Sequence, residues 1–495
     1  MTNPKSTLSG PPGPPNTVDA ADKTAHRPQS KPQTKKVSPA RESAFAILMR
    51  VETQSSFASD LLHGVLTNRL DSRDGGLCTE LVMGCLRWQN QLDFAAQQFT
   101  GGRWQKFDAE VRIALRIGAY QLLHLSRVPA RAAIAESVEL VRKAGKTSAT
   151  GLVNAVLRRV AEIGGSAQLA RLRRAEFSDI AWDAVAVAHP AWLLERWQQR
   201  LGREQAQARA ICDNQAPLTY VRLSGPGAGD CTELITRFRN EDVTAEPSSM
   251  LQDCLTIVQG DVVRTEAYLR GEVVIQDQAS QLVPLLLDVR PGQRVLDLCS
   301  APGNKSSLLA LAAGPSGMVV AGDLHLHRLR QRFAVAPPEH SAPIHRIALD
   351  GTQPLPLRGT FDRVLVDAPC SGTGTLRRNP EIKWRLQPDS FRGLAQLQLS
   401  LLRQAAGAIA VGGRMVYSTC SLEQEENQAV IESFLAEHPE FALVPVQQES
   451  SRLGAKFTDP AGALMRELFA GKFLETSPEK HQTDGFFAAI LQRNG

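Results

Sequence analysis

Two cysteines at the ends of apolar runs, Cys370 in "VDAPCSGTG" and Cys420 in "VYSTCSLEQEEN", are the residues best suited to covalent chemistry. A series of acids accompanies them: Asp297 in "RVLDLC", Asp323 in "GMVVAGD", Asp350 in "HRIALD" and Asp367 in "FDRVLVDAP". One acid at a strand end is usually a helix cap. Four in succession predict a nucleoside-bearing ligand, with Asp323 placed for ribose hydroxyls. The first strand runs into Cys299-Ser300-Ala301-Pro302-Gly303-Asn304-Lys305, a turn of small residues opening a helix. It is not a phosphate loop, which needs Gly at the positions held by Cys299 and Asn304, nor a dinucleotide loop, since Gly303 stands alone. Such a turn suits close backbone approach by a nucleoside without a polyphosphate.

Two thiols, a carboxylate and a nucleoside cofactor suit one reaction in particular. C5 of a pyrimidine is a poor nucleophile, but a thiolate adding to C6 makes C5 enamine-like. That carbon can take a methyl group from S-adenosylmethionine, while a carboxylate near N3 stabilises the adduct. A free thiol is only a few per cent ionised at neutral pH, so the site must deprotonate it, and Lys305 is a candidate to help. Spacing alone does not rank the two thiols.

These residues need a sheet to hold them. Strands are predicted at 294–299, 317–323, 345–350, 361–369, 412–420 and 485–491, with helical stretches between several of them. That rhythm gives a doubly wound, mostly parallel sheet, an α/β Rossmann-like domain over 269–495. Before it, 39–170 has helical spacing: Ala44, Ile47, Leu48 and Val51; Val111, Leu115, Leu122 and Leu125; Leu152, Val156, Leu157 and Val160. Turns are expected at Gly75-Gly76, Gly101-Gly102 and Gly164-Gly165, giving an all-α bundle of five or more helices. Residues 171–268 read as a small α/β connector, with a helix at 191–202 and a strand at 217–223. Residues 1–38 form a proline-rich, disordered tail. Seven Lys or Arg against two Asp in 1–41 account for the net charge of +5, a balance that favours nonspecific attraction to phosphates. Eight scattered cysteines without a C-x-x-C pair argue against a zinc module or disulfide framework and suit a reducing cytoplasm. No secretory leader or membrane span is expected, His325-x-His327 is too sparse for a metal, and nothing points to a protein partner.

Taken together, "QDQASQLV", "VLDLCSAPGNKSS", "AGDLHLHRL", "VDAPCSGTGTLRRNPEIKWR", "VYSTCSLEQEEN" and "DGFFAAIL" resemble the ordered motifs of the RNA cytosine-C5 methyltransferases of the Sun/NSUN type. "GLVNAVLRRV" (151–160) is similar to the NusB-like RNA-binding domain of the Sun subfamily. The resemblance implies S-adenosylmethionine contacts from Cys299 through Lys305 and from Asp323, Asp350 and Asp367. It implies that Cys420 is the nucleophile and that Cys370 assists product release, on a cytosine of RNA, most naturally small-subunit (16S) ribosomal RNA. Asn304 stands where the family usually has Gly, which is expected to restrict the turn. Arg377, Arg378, Lys383 and Arg385, with Trp384, are expected to contact RNA. Two alternatives are a nonenzymatic RNA-binding factor and a DNA-modifying enzyme with Cys370 as nucleophile.

Overall fold

The computed structural model describes residues 37–68, 70–173, 177–224, 230–332 and 340–494; the expected tail, up to residue 36, lies outside them. Apolar stripes at helical spacing build the N-terminal bundle. Its α-helices are α1 (Pro39–Gln54), α2 (Ala58–Asn68), α3 (Ser72–Arg87), α4 (Gln89–Gln97), α5 (Ala109–His124), α6 (Ala130–Lys143) and α7 (Thr150–Ala161). Ala44, Ile47, Leu48, Val51, Val111, Leu115, Val156, Leu157 and Val160 are buried together. Gly101-Gly102 and Gly164-Gly165 turn the chain with positive φ. Gly75-Gly76 does not: both lie inside α3, which Asp71 caps through the Asp74 N–H. Two helical glycines cost about 1 kcal/mol each, less than burial of Leu81, Val82 and Leu86 on that helix returns at about 1.5–3 kcal/mol per side chain.

The connector holds an antiparallel sheet of β1 (Thr219–Leu223), β2 (Thr244–Pro247), β3 (Cys254–Gln259) and β4 (Val273–Ile275), in the order β2-β3-β1-β4. The helix Ala191–Leu201 precedes it and packs Leu193, Leu194 and Trp197 against Leu376 and Phe391 of the C-terminal domain.

The C-terminal strands are β5 (Arg294–Asp297), β6 (Met318–Asp323), β7 (Ile344–Ala348), β8 (Phe361–Asp367), β9 (Ile409–Thr419), β10 (Phe441–Val444), β11 (Leu474–Glu475) and β12 (Phe487–Arg493). They form one sheet in the order β10-β12-β9-β8-β5-β6-β7, with β11 beside β12. The neighbours from β7 to β9 are parallel, whereas β12 is antiparallel to β9, β10 and β11. The sheet is apolar on both faces because helices cover both. Leu365 and Val416 pack with Leu309 and Ala310 on one side; Val364 and Val366 pack with Leu401, Leu402 and Ala405 on the other. The parallel strands point their carboxyl ends to one edge, where such sheets bind ligands. No helix among the described residues is long and apolar enough to cross a membrane.

Candidate functional site

At that edge β5 stops on Asp297, and the chain turns through Cys299–Gly303 into the helix Asn304–Ala313. The turn hangs on β6: the Ser300 N–H donates to Gly322 O at 2.9 Å and the Ala301 N–H to Asp323 Oδ2 at 3.1 Å. Asp323 Oδ1 takes the His325 N–H at 2.9 Å, so its carboxylate is fixed with lone pairs to spare. Asn304 does not strain the turn, contrary to expectation. Gly303 carries the positive φ, 108°, and Asn304 is the first helical residue. Arg222 of the connector, fully buried, donates to Ser307 Oγ at 2.6 Å and Asn304 O at 3.2 Å, pinning the helix start. Asp297 Oδ2 accepts from Ser306 Oγ at 2.6 Å. Asp297 Oδ1 and Asn304 Oδ1 are buried without a hydrogen-bond partner, a free polar capacity at the turn. Burial pushes the Asp297 carboxyl up to about 7, and burial with three nearby carboxylates pushes the Cys299 thiol up. Asp350 lies two residues past β7, exposed, and accepts the Thr352 N–H and Oγ1–H at 2.9 and 2.7 Å.

The two cysteines meet. Strands β8 and β9 are parallel neighbours, so the turns after them lie side by side, and Cys370 Sγ is 3.3 Å from Cys420 Sγ. The hydrogen bond to Cys420, reinforced by burial, holds the Cys370 thiol well above its ordinary value. Asp367 Oδ1 takes the Ser418 Oγ–H at 2.7 Å and its Oδ2 pairs with Lys305 Nζ at 2.6 Å. Burial alone would push the Lys305 ammonium down, but Asp367 outweighs it and holds the pKa up. One lysine therefore joins the small-residue turn to the cysteine side of the cleft, with Nζ 5.0 Å from the centre of the Phe486 ring.

Three features of the site were not foreseen. Gly374 and Gly485 touch backbone to backbone, the Gly485 N–H donating to Gly374 O at 2.8 Å, and a Cβ on Gly374 would sit 2.2 Å from Gly485 O. Glu426 is fully buried between the two cysteine turns, and Arg222 arrives from another domain. The only sequence signals were glycine in "GTG" and "DGFF" and an acid among several in "LEQEEN".

The expected RNA contact of "RRNPEIKWR" is overturned, because its side chains are spent inside the molecule. Lys383, fully buried, donates to Arg87 O and Asn214 Oδ1, both at 2.9 Å. Trp384 Nε1 donates to Leu86 O at 2.7 Å, and Arg385 to Val51 O at 3.1 Å and Ser56 O at 2.6 Å. Arg377 is buried and donates to Ala216 O at 3.1 Å. Arg378 bridges Asp277 and Asp484 at 2.8 and 2.7 Å, joining the two flanking motifs. Val51, Leu86 and Arg87 lie in the last turns of α1 and α3, where carbonyls lack intrahelical partners and cations are favoured. Conversely, Glu381 Oε1 takes the Ala58 N–H at 2.8 Å, at the start of α2, where an anion is favoured. The segment is a clasp that caps three helix ends of the bundle, and burial pushes its Lys383 ammonium down to about 7.

Known proteins share this architecture. The solved structure of PH0851 superposes with a TM-score of 0.75 at 23% identity, covering 92% of this chain and 99% of that one, a likeness of fold. NSun6 from Pyrococcus horikoshii, solved with SFG, superposes at 0.51 with 17% identity over 62% of this chain and 98% of that one. The probable ribosomal RNA small subunit methyltransferase B of Bacillus subtilis is 33% identical over 461 residues, 92% of this chain and 99% of that protein. The ribosomal RNA small subunit methyltransferase B of Pseudomonas putida is 36% identical over 374 residues, 75% and 83% of the two chains. Residues 38–162 match the NusB family and 189–264 the ferredoxin-like domain of RsmF/B-like methyltransferases. Residues 284–492 match the 16S rRNA methyltransferases RsmB/F, and with relatives 33% and 36% identical over 92% and 75% of its length the chain belongs to that family.

Proposed function

We propose that this protein methylates C5 of a cytosine in small-subunit ribosomal RNA, in the cytoplasm, through a covalent adduct between Cys420 and C6. The observation that carries the reading is the 3.3 Å approach of Cys370 and Cys420 beside the Lys305–Asp367 pair. The chemistry of that set matches addition to a pyrimidine and later release from it. S-adenosylmethionine, when bound, supplies the methyl group. The residues present fit it: Asp323 has free lone pairs for ribose hydroxyls, the small-residue turn admits close approach, and Asp297 Oδ1 and Asn304 Oδ1 lack partners. Asp350 sits one strand further along the same edge and is proposed to reach the base.

Cys420 adds to C6 as the thiolate, and the C5–C6 π electrons move to C5. Asp367, held by Lys305 and Ser418, is placed to accept from the N4 amino group and orient the base, while the Lys305 ammonium beside it offsets the negative charge that builds on the ring. After C5 has gained its methyl group, its proton must leave as the Cys420–C6 bond breaks. Cys370, as the thiolate, takes that proton while the C5–H electrons re-form the C5–C6 double bond and Cys420 leaves as thiolate; the proton is then lost to water. The NusB-family bundle is the domain proposed to hold the RNA.

The two thiols fail in opposite ways. With labelled ribosomal RNA on a denaturing gel, Cys370→Ala is expected to accumulate a slow-migrating covalent complex, and Cys420→Ala to give none. The reverse pattern would make Cys370 the nucleophile. Absence of any adduct, with bisulfite sequencing showing no methylated cytosine, would refute the enzymatic reading altogether.

A further inference from the structure

The turn that carries Cys370 is tied to its neighbour at both ends but not at its middle by backbone pairing. Before it, the Ala368 N–H donates to Ser418 O at 2.8 Å; after it, the Gly374 N–H donates to Cys420 O at 2.9 Å. Between them the ties run through side chains: Thr373 Oγ1 accepts the Leu422 N–H at 2.9 Å, the Ser371 and Ser421 hydroxyls lie 3.0 Å apart, and one carboxylate spans both turns. Glu426 Oε2 accepts the Ser371 N–H at 2.8 Å and Gln398 Nε2–H at 2.9 Å, while Oε1 accepts the Ser421 Oγ–H at 2.6 Å. Gln398 also donates to Pro369 O at 3.0 Å, so it holds the chain on the other side of Cys370. Ser371 directly follows Cys370 and Ser421 directly follows Cys420. The glutamate itself cannot drift: it is fully buried, and its carbonyl takes the Tyr417 hydroxyl at 2.5 Å.

We infer that Glu426 is a positioning residue that fixes the Cys370 thiol against Cys420 by spanning the two turns with one carboxylate. The inference rests on the covalent mechanism proposed above and deepens it. Cys420 is the better anchored of the pair, because its strand neighbour Thr419 donates through Oγ1 to Asn427 Oδ1 at 2.6 Å and Asn427 Nδ2–H donates to Ser421 O at 2.9 Å. Loosening Glu426 therefore releases the Cys370 turn first. Attack by Cys420 survives, and elimination slows.

Reach and charge are separable. Glu426→Asp keeps the charge but withdraws the carboxylate by one methylene, about 1.5 Å, too far to bond Ser371 and Ser421 at once. Glu426→Gln loses the charge but keeps the length: its oxygen accepts from Ser371 and Gln398, and its amide donates to Ser421 Oγ. The experiment measures the lifetime of the covalent protein–RNA complex on denaturing gels, beside wild type and Cys370→Ala, with S-adenosylmethionine binding followed by calorimetry. Glu426→Asp should release RNA about 10- to 100-fold more slowly than wild type, bind cofactor normally, and resemble Cys370→Ala; Glu426→Gln should release within about twofold of wild type. Normal release by Glu426→Asp, slow release by Glu426→Gln, or loss of cofactor binding in Glu426→Asp would each overturn the inference. A Cys370→Ala control that fails to trap RNA would instead sink the covalent mechanism itself.

Discussion

Trp384→Phe combined with Arg385→Met keeps an aromatic ring and an unbranched apolar chain at the two positions and deletes three donor contacts of the clasp, at 2.7, 3.1 and 2.6 Å. A net hydrogen bond stabilises by about 0.5–1.5 kcal/mol, and one from a charged donor by about 1.5–3 kcal/mol. Arg385 is partly exposed, so the lower values apply, and the three together amount to about 3 kcal/mol. The guanidinium also lies 5.5 Å from the centre of the Phe57 ring, a contact adding about 0.5 kcal/mol at a partly exposed site. A change of about 3 kcal/mol is roughly two decades in an opening equilibrium. Hydrogen exchange followed by mass spectrometry should therefore show about hundredfold lower protection at the Ala58 amide, which Glu381 holds. The amides of β8, inside the sheet, should keep theirs. Because the guanidinium touches carbonyls and not phosphates, the slope of RNA affinity against salt should not change. Unaltered protection with a salt slope reduced by about one would refute the clasp and return Arg385 to the RNA surface.

Gly374→Ala places a Cβ 2.2 Å from Gly485 O, so the loop must part from the closing segment by about an ångström; methyl transfer should fall about hundredfold, and unchanged turnover would show slack in the loop. Asp323→Ala should weaken S-adenosylmethionine binding by about 1.5–3 kcal/mol in calorimetry; unchanged affinity would remove Asp323 from the site. Asp297→Asn tests the buried carboxyl, whose pKa rises to about 7 in the fold from about 3.9 unfolded. A raised carboxyl pKa gives stability that is full below the unfolded value and lost as pH rises towards the folded one. Between about pH 4 and 7 the wild type should lose urea resistance relative to the Asn variant, and parallel curves would mean that Asp297 is ionised throughout.

The strand-end residues were legible because each follows an apolar run whose continuous character reports burial on both faces. Edges were less so: β5 stops on Asp297, two residues before Cys299, and β9 begins at Ile409, ahead of the Gly412 turn signal. Gly75-Gly76 misled because glycine propensity is local, whereas the burial of Leu81, Val82 and Leu86 that outweighs it is tertiary. Asp350 and Asp323 look alike in sequence, but Asp323 holds the turn after β5 through the Ala301 N–H, whereas Asp350 bonds Thr352 two residues on. The clasp was misread for a related reason. A cluster of cations next to a cysteine resembles a phosphate-binding loop, and nothing local reveals that the acceptors are carbonyls at helix ends in another domain. Glu426 was hidden among acids of different fates, since Glu423 is buried on Arg196 and Trp197 while Glu425 pairs with Arg196 nearer the surface.

The clasp also has a consequence in time. The bonds of residues 381–385 to the bundle join positions 296 to 334 residues apart. A ribosome adding about 5–20 residues per second needs roughly 15–60 s to cover that distance. Throughout that interval the bundle, already long enough to fold, presents the carbonyl ends of α1 and α3 to water, and the segment that will cover them is unmade. The last turns of those helices are therefore the part of the nascent bundle most open to fraying, and to any donor-rich surface that meets them first. The chain's own slow synthesis thus defines a window in which its first domain has unfinished ends, closed only when residues 381–385 emerge.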